Sequence, residues 1–219
     1  MPEWWTYTLG DFLLFSPRTY YRLLERFNEA VWPWQLAALA LGLALLALLV
    51  RRPRWQGRAM AAILALLWTW VAWVFLRQRY ATINWSAGYL AWLFAGEGVL
   101  LLWFGTVRGR LAFRAGRSRT GLALFGVSLG IYPVLAPLLG RGLGQAELFG
   151  VLPDRTAIGT LGLLLLADGP GRAALLAPPA AWCALAAATL WAMGSAEAWL
   201  SLAALVLAAW ECWRRRAGA

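Results

Sequence analysis

The stretch PWQLAALALGLALLALLVRRPR, residues 33–54, sets the expectation for the whole fold. Residues 33–50 carry no charged side chain, two tryptophans stand at their start, and three arginines follow them within four residues. About 20 apolar residues are needed to cross the hydrocarbon core of a bilayer. Tryptophan and arginine are typical of the interfaces on either side. The stretch therefore predicts a transmembrane helix.

The rest of the chain has the same character. Its 219 residues are 62% hydrophobic and 14% charged, and 16 of them are tryptophan, which is unlike a soluble domain. Repeated apolar regions predict an all-α fold, a polytopic transmembrane bundle of about seven spans that occupies residues 32–216. The predicted spans are residues 33–50, 59–76, 87–107, 120–139, 148–167 with a break, 173–193 and 196–213.

Residues 1–31 lack the basic start and continuous apolar core of a signal peptide. Ser16 followed by Pro17 is typical of a helix start, and apolar residues then recur at helical spacing from Tyr20 to Val31. The segment predicts an N-terminal amphipathic helix. Two placements stay open: a helix lying in the membrane interface, or a soluble cap packed on the bundle.

Arginine is distributed unequally between alternate loops. Thirteen arginines lie in one set of loops and seven in the other, and the second set also holds seven of the ten acids. Because positive charge is retained in the cytoplasm, the first set is predicted to be cytoplasmic, in contact with anionic lipid head groups. The expected location is a bacterial inner membrane, with the N-terminus outside and the C-terminus in the cytoplasm. The arginine-rich set comprises residues 51–58, 108–119, 168–172 and 214–216.

The sequence lacks residues on which several classes of functional protein depend. The chain contains no histidine and no lysine, so imidazole bases and histidine ligands for metal or haem are excluded. No nucleophile has a base near it in sequence, so an enzyme is not favoured. No cofactor is predicted, and without a soluble basic domain no nucleic-acid partner is expected. A homo-oligomer or a membrane partner stays open.

Glu97 is the most unusual residue because it falls at the centre of the third predicted span, between two glycines. An ionised carboxylate there costs roughly 2.5–3.5 kcal/mol on insertion scales. We therefore expect Glu97 to face the bundle interior and to be protonated. It is either a proton or cation site in a transport pathway or a structural hydrogen-bond donor. Polar residues predicted at a similar depth are Thr69, Ser128, Tyr132 and Thr160.

The fifth predicted span is interrupted. Pro153, Asp154, Arg155 and Thr156 lie inside an otherwise apolar region. A continuous helix would expose both charges to lipid, so residues 153–156 are predicted not to be regular helix. Asp154 would then cap a half-helix that follows, as in transporters with discontinuous helices. The alternative is an ordinary outer loop that enters a short span.

The fourth predicted span holds Gly126 and Gly130 one turn apart, which favours a small-residue contact between helices.

Five further groups of residues carry a resemblance to known sequences. They are Phe27 to Pro33, Arg108 to Leu111 with Phe113 and Arg114, Tyr132 with Pro133, Phe149 with Gly150, and Thr160 to Leu163. Through them the sequence resembles an uncharacterised family of bacterial multi-pass membrane proteins, a domain of unknown function. The resemblance covers most of the chain and implies that Asn28, Glu29 and residues 149–162 are important.

The leading functional prediction is a small transporter or channel for an ion or small solute, with Glu97 as its mid-membrane carboxylate. The alternative is a non-catalytic scaffold or accessory subunit of a larger membrane complex, in which the same polar groups only hold helices together. Candidate transport or binding residues are Glu97, Asp154, Arg155, Thr156, Tyr132, Glu29 and Asn28.

Overall fold

The computed structural model describes residues 13–131 and 140–217. These residues confirm the all-α prediction. The α-helices are α1 (Pro17–Ala30), α2 (Trp34–Arg51), α3 (Gln56–Trp70), α4 (Ala87–Leu101), α5 (Arg119–Gly126), α6 (Pro153–Leu165), α7 (Arg172–Ala192) and α8 (Ala198–Ala217).

Three of these helices continue as π-helix, namely α3 through Val71–Arg77, α4 through Leu102–Val107 and α5 through Val127–Ile131. Short 3₁₀ turns occupy Tyr80–Thr82, Ala115–Arg117 and Leu143–Gln145. A two-stranded antiparallel sheet pairs β1 (Ala112–Phe113) with β2 (Ala167–Asp168).

Four helical segments of the described chain are long and apolar enough to cross a membrane: Trp34–Arg51, Gln56–Thr82, Ala87–Val107 and Arg172–Ala192. They match the first, second, third and sixth predicted spans and indicate a membrane protein. The other three predicted spans do not meet this criterion within the described residues. About seven spans is therefore not established by helix length and composition.

The predicted helix after Ser16 is present as α1. The Ser16 hydroxyl accepts a hydrogen bond from the Thr19 amide at 3.2 Å, and Pro17 occupies the first turn. Tyr20, Leu24 and Phe27 are buried in the core. One face of α1 therefore packs on the other helices, while its position relative to a membrane stays a prediction.

Helix α6 lies at the centre of the bundle. Each of its 13 residues, Pro153–Leu165, is buried, and it packs against α3, α5, α7 and α8. Acceptors at its C-terminal end are satisfied by cations: Arg172 donates to the Leu164 carbonyl at 2.8 Å and Arg215 donates to the Leu165 carbonyl at 2.9 Å. Positive charge at a helix C-terminus also stabilises the helix dipole.

The predicted position of the helix break is wrong. Residues 153–156 form the first turn of α6, because proline at the first helical position needs no hydrogen-bond donor. The break lies just before it, where Gly150 has φ 77°. Leu152, not Asp154, is the N-terminal flanking residue. Thr156 holds the turn: its hydroxyl accepts from the Gly150 amide at 3.0 Å and donates to the Leu152 carbonyl at 2.7 Å.

Helices α5 and α6 touch through their backbones at Gly121 and Gly162. A Cβ atom at Gly162 would lie 2.7 Å from the Gly121 carbonyl oxygen, and one at Gly121 would lie 2.6 Å from the Gly162 carbonyl oxygen. At Gly126 and Gly130, in contrast, no atom of the described residues lies within 4 Å of such a Cβ. The predicted small-residue contact therefore forms at a different pair of glycines.

The arginine-rich loops gather at one end of the bundle. There β1 pairs with β2, and Arg117 forms an ion pair with Asp168. Arg215 donates a hydrogen bond to the Arg117 carbonyl at 3.4 Å. The loops with few arginines contact one another elsewhere: Asn28 bonds to residues 144–146, and Tyr21 bonds to Ser195. In these examples, segments of the arginine-rich set contact one another, and segments of the arginine-poor set contact one another.

The glycine contact gives a stability test. Gly162→Ala inserts a methyl group against the α5 backbone, so we expect a loss of about 1–3 kcal/mol, the usual cost of overpacking. Gly126→Ala is the matched control and is expected to stay within about 1 kcal/mol of the parent. Thermal unfolding of both detergent-solubilised variants measures the difference. Equal melting temperatures would contradict the contact.

Candidate functional site

Five ionisable side chains gather at the N-terminal end of α6. They come from the segment before α6, from its first turn and from the short loop between α7 and α8. Arg155 is fully buried, Glu147 and Glu197 are 2% exposed, and Asp154 is 3% exposed. Arg141 is more accessible, with 14% of its side chain exposed. We refer to these five residues as the charged cluster.

Two arginines share one carboxylate within the charged cluster. Glu197 Oε1 lies 3.4 Å from Arg155 Nη2 and also pairs with Arg141 Nη2. On its other side, Arg155 Nε lies 3.4 Å from Glu147 Oε2. Burying a charge is costly unless an opposite charge accompanies it. The cluster therefore ties the chain around residues 141–155 to the loop that carries Glu197.

Asp154 is held by a different kind of partner. Trp182 of α7 donates its indole N–H to Asp154 Oδ1 at 2.8 Å. Asp154 also lies in the first turn of α6, where the helix dipole favours negative charge. The next residue is fixed through its backbone, because the Ser128 hydroxyl donates to the Arg155 carbonyl at 2.6 Å.

Helix α1 covers this end of the bundle. The Tyr21 hydroxyl donates to Ser195 Oγ at 3.1 Å, and the Arg141 guanidinium lies 4.5 Å from the centre of the Tyr21 ring. Asn28 donates to the carbonyls of Gly144 and Ala146 at 2.8 and 2.9 Å. The same helix thus holds the segment that carries Arg141 and Glu147.

A cavity of about 50 Å³ lies beside Asp154. Aromatic side chains and small polar side chains form most of its wall. A tyrosine is neutral at physiological pH, and burial raises the pKa of the Tyr20 phenol still further above its ordinary value. The lining residues are Tyr20, Phe75, Tyr80, Asn84, Ser86, Leu90, Pro153, Asp154, Trp182, Leu185, Ala186, Thr189 and Leu190.

Glu97 faces the interior of the protein, as predicted, and is fully buried. Among the described residues, neither carboxylate oxygen has a hydrogen-bond partner, and Glu97 is not part of the cavity wall beside Asp154. Gly98 permits close approach of α3, since a Cβ there would lie 2.7 Å from Thr69 Oγ1. Protonation of Glu97 stays a prediction.

The polar residues proposed as partners of Glu97 make other contacts. Thr69 donates to the Ala65 carbonyl at 2.8 Å, and Thr160 accepts from the Trp68 indole at 2.9 Å. Ser128 bonds to the backbone of Arg155. These three side chains stabilise helix packing within the described bundle.

The other candidate residues divide between the site and its surroundings. Thr156 shapes the turn before α6, and Asn28 anchors α1. Glu29 is exposed on α1, and Tyr132 lies outside the described residues. The sequence prediction missed Arg141, Glu147, Glu197 and Trp182 as members of the site. One available signal was that Glu147 and Glu197 each lie next to the predicted start of a span, at residues 148 and 196.

Metal binding has no support among the described residues. They contain no group of three or more histidine, cysteine, aspartate and glutamate side chains that could hold a metal ion. The two cysteines, Cys183 and Cys212, are free thiols.

Comparison with known proteins places the chain in a family. A family model matches residues 18–217, from the first turn of α1 to the end of α8. The chain belongs to DUF6064, a family of unknown function. This confirms the predicted resemblance to an uncharacterised family. No curated protein and no solved structure matches the chain.

The charged cluster predicts a strong dependence on Arg155. Arg155→Ala leaves Glu147 and Glu197 buried with less compensating charge, and we expect a loss of about 3–5 kcal/mol, typical of a broken buried ion pair. Arg22→Ala, at an exposed position of α1, is the control and should change stability by less than about 0.5 kcal/mol. Thermal unfolding in detergent compares them. An Arg155→Ala variant as stable as Arg22→Ala would contradict the pairing.

Proposed function

We propose that the protein is a membrane transporter or channel for an ion or small solute, with its binding site at the first turn of α6. The observation that carries this proposal is the cavity beside Asp154, a 97% buried carboxylate at the start of a short, enclosed helix. Ionisable groups in membrane segments are costly and commonly mark substrate or ion pathways. The carboxylate assigned to the pathway is Asp154 instead of Glu97, because Asp154 lines a cavity.

The length of α6 supports a site within the membrane. Its 13 residues extend over roughly 20 Å, whereas the hydrocarbon core is about 30 Å thick. Val151 and Leu152, in the irregular segment before it, are fully buried. Irregular backbone is tolerated at membrane depth only when protein or a water-filled cavity surrounds it. Short helices that start inside the membrane are a common way for transporters to build a binding site.

The proposal includes seven crossings in a bacterial inner membrane, with the N-terminus outside and the C-terminus in the cytoplasm. The arginine count and the grouping of loop contacts support it. The C-terminal end of α6 contacts Arg172 and Arg215, which belong to the arginine-rich end, while its N-terminal end contacts Glu197 at the other. Helix α6 therefore runs from one loop set to the other. Counting it as a crossing gives the odd total that puts the two termini on opposite sides of the membrane.

Transport is tested by reconstituting the protein into liposomes. Currents driven by gradients of protons, Na⁺, K⁺ or methylammonium are compared with those of empty liposomes. Asp154→Asn keeps the side-chain shape and removes its charge, so we expect the flux to fall by about tenfold or more. Glu97→Gln changes a buried carboxylate away from the cavity and is expected to keep the flux within about twofold.

Two results would contradict this proposal. Flux that survives Asp154→Asn but is lost in Glu97→Gln would show that the transport pathway runs past Glu97 in α4 instead of past Asp154. No flux above empty liposomes for any of the four ions, together with copurification of one stoichiometric membrane partner, would favour the alternative function, a scaffold or accessory subunit.

The orientation has its own test. Green fluorescent protein fluoresces only in the cytoplasm and alkaline phosphatase is active only outside, so paired fusions after Arg216 should give fluorescence without phosphatase activity. The same pair after Gly142, in a loop of the other set, should give the opposite result and serves as the internal control. Phosphatase activity after Arg216 would overturn the orientation.

A further inference from the structure

Among the described residues, the wall of the cavity beside Asp154 contains one acidic side chain and no basic one. Among its described lining residues, Asp154 is the only one with a charged side chain, and Tyr20, Tyr80, Asn84, Ser86 and Thr189 supply neutral polar groups. The ion pairs of the charged cluster join Arg141 and Arg155 to glutamates that are not in this wall. A ligand in the cavity therefore meets a carboxylate and no cationic side chain from the described wall.

Aromatic rings surround the same space. The rings of Tyr20 and Tyr80 are 6.0 Å apart and nearly perpendicular, and those of Phe75 and Tyr80 are stacked at 5.8 Å. Trp182 adds an indole on the side of Asp154. Cations are attracted to the faces of aromatic rings, and rings grouped around a carboxylate are suited to an ammonium group.

A wider apolar cleft adjoins the cavity. It has a volume of about 480 Å³ and shares Asn84, Ser86, Leu185 and Thr189 with the cavity wall. Among the described residues, the rest of the cleft wall is apolar, and its Trp85 is 69% exposed, so the cleft reaches the surface of the protein. The remaining lining residues of the cleft are Leu13, Leu14, Phe15, Trp85, Ala188 and Ala192.

We infer that the site binds an amphiphilic organic cation, with its ammonium group beside Asp154 and its hydrocarbon part in the adjoining cleft. The inference deepens the proposed function, since it names the substrate class of the same site. A carboxylate with aromatic rings accounts for the head group, and an uncharged cleft of larger volume accounts for the tail. The four shared residues place the cavity and the cleft side by side.

The helix dipole does not oppose this assignment. The N-terminus of α6 carries partial positive charge, which alone would favour an anion. Asp154 lies in that first turn and supplies the negative charge there. An anionic ligand would have to displace or protonate this carboxylate, whereas an ammonium group adds to the arrangement as it stands.

Binding is measured directly with three probes of the same chain length. Hexylammonium, hexanol and hexanoate are titrated by calorimetry into the full chain in nanodiscs, with empty nanodiscs as the blank for partitioning. We expect hexylammonium to bind about tenfold or more tightly than hexanol, because a charge-assisted contact is added, and hexanoate to bind more weakly than both. Hexylammonium binding no tighter than hexanol would overturn the inference.

Two pairs of variants locate the probe. Asp154→Asn is expected to reduce hexylammonium affinity to that of hexanol, whereas Glu97→Gln should leave it within about twofold. Ala188→Trp fills the cleft from an exposed position on α7 and should weaken binding about fivefold or more. Ala184→Trp, also at an exposed position of α7 but outside the cleft, is the control and should leave binding within about twofold. Unchanged affinity in both Asp154→Asn and Ala188→Trp would overturn the site.

These outcomes are separable from those of the flux assay. Hexylammonium binding that depends on Asp154 and Ala188, without flux of any ion, would contradict transport and leave the binding site intact. Flux that depends on Asp154, without selective hexylammonium binding, would contradict the substrate class alone.

Discussion

The arrangement of the bundle depends on the burial of Arg155. A guanidinium with no exposed surface must be compensated by nearby negative charge, and Glu147 and Glu197 provide it from two different segments. These contacts fix the segment before α6 against the loop between α7 and α8. They also fix the N-terminus of α6, so the position of Asp154 and its cavity follows from the same ion pairs.

Much of the fold was predictable because apolar runs and their arginine boundaries are local signals. The 33–50 run became α2, and the 87–107 run became α4 with its π-helical continuation, within a residue of the predicted ends. The start of α6 was harder. Pro153 was expected to interrupt a helix, but proline is compatible with the first turn, and only the positive φ of Gly150 shows where the chain changes direction.

Less of the candidate site could be predicted from the sequence. Glu97 stood out because a carboxylate in an apolar run is rare, yet rarity says nothing about whether a cavity lies beside it. Asp154 and Arg155 were also identified, because they too are charged residues within an apolar region. Their partners were not, because Glu197 lies 42 positions from Arg155 and Trp182 resembles any other tryptophan at a helical position. Contacts between distant segments require the fold.

The backbone contact between Gly121 and Gly162 has a mechanical consequence. With no side chains between them, α5 and α6 cannot slide or separate without losing direct contact, so we expect the two helices to move together. Asp154 lies near one end of this helix pair, and the arginine-rich segment that leads into α5 lies at the other. A displacement of Asp154 along the axis of its helix is therefore expected to move that segment as well.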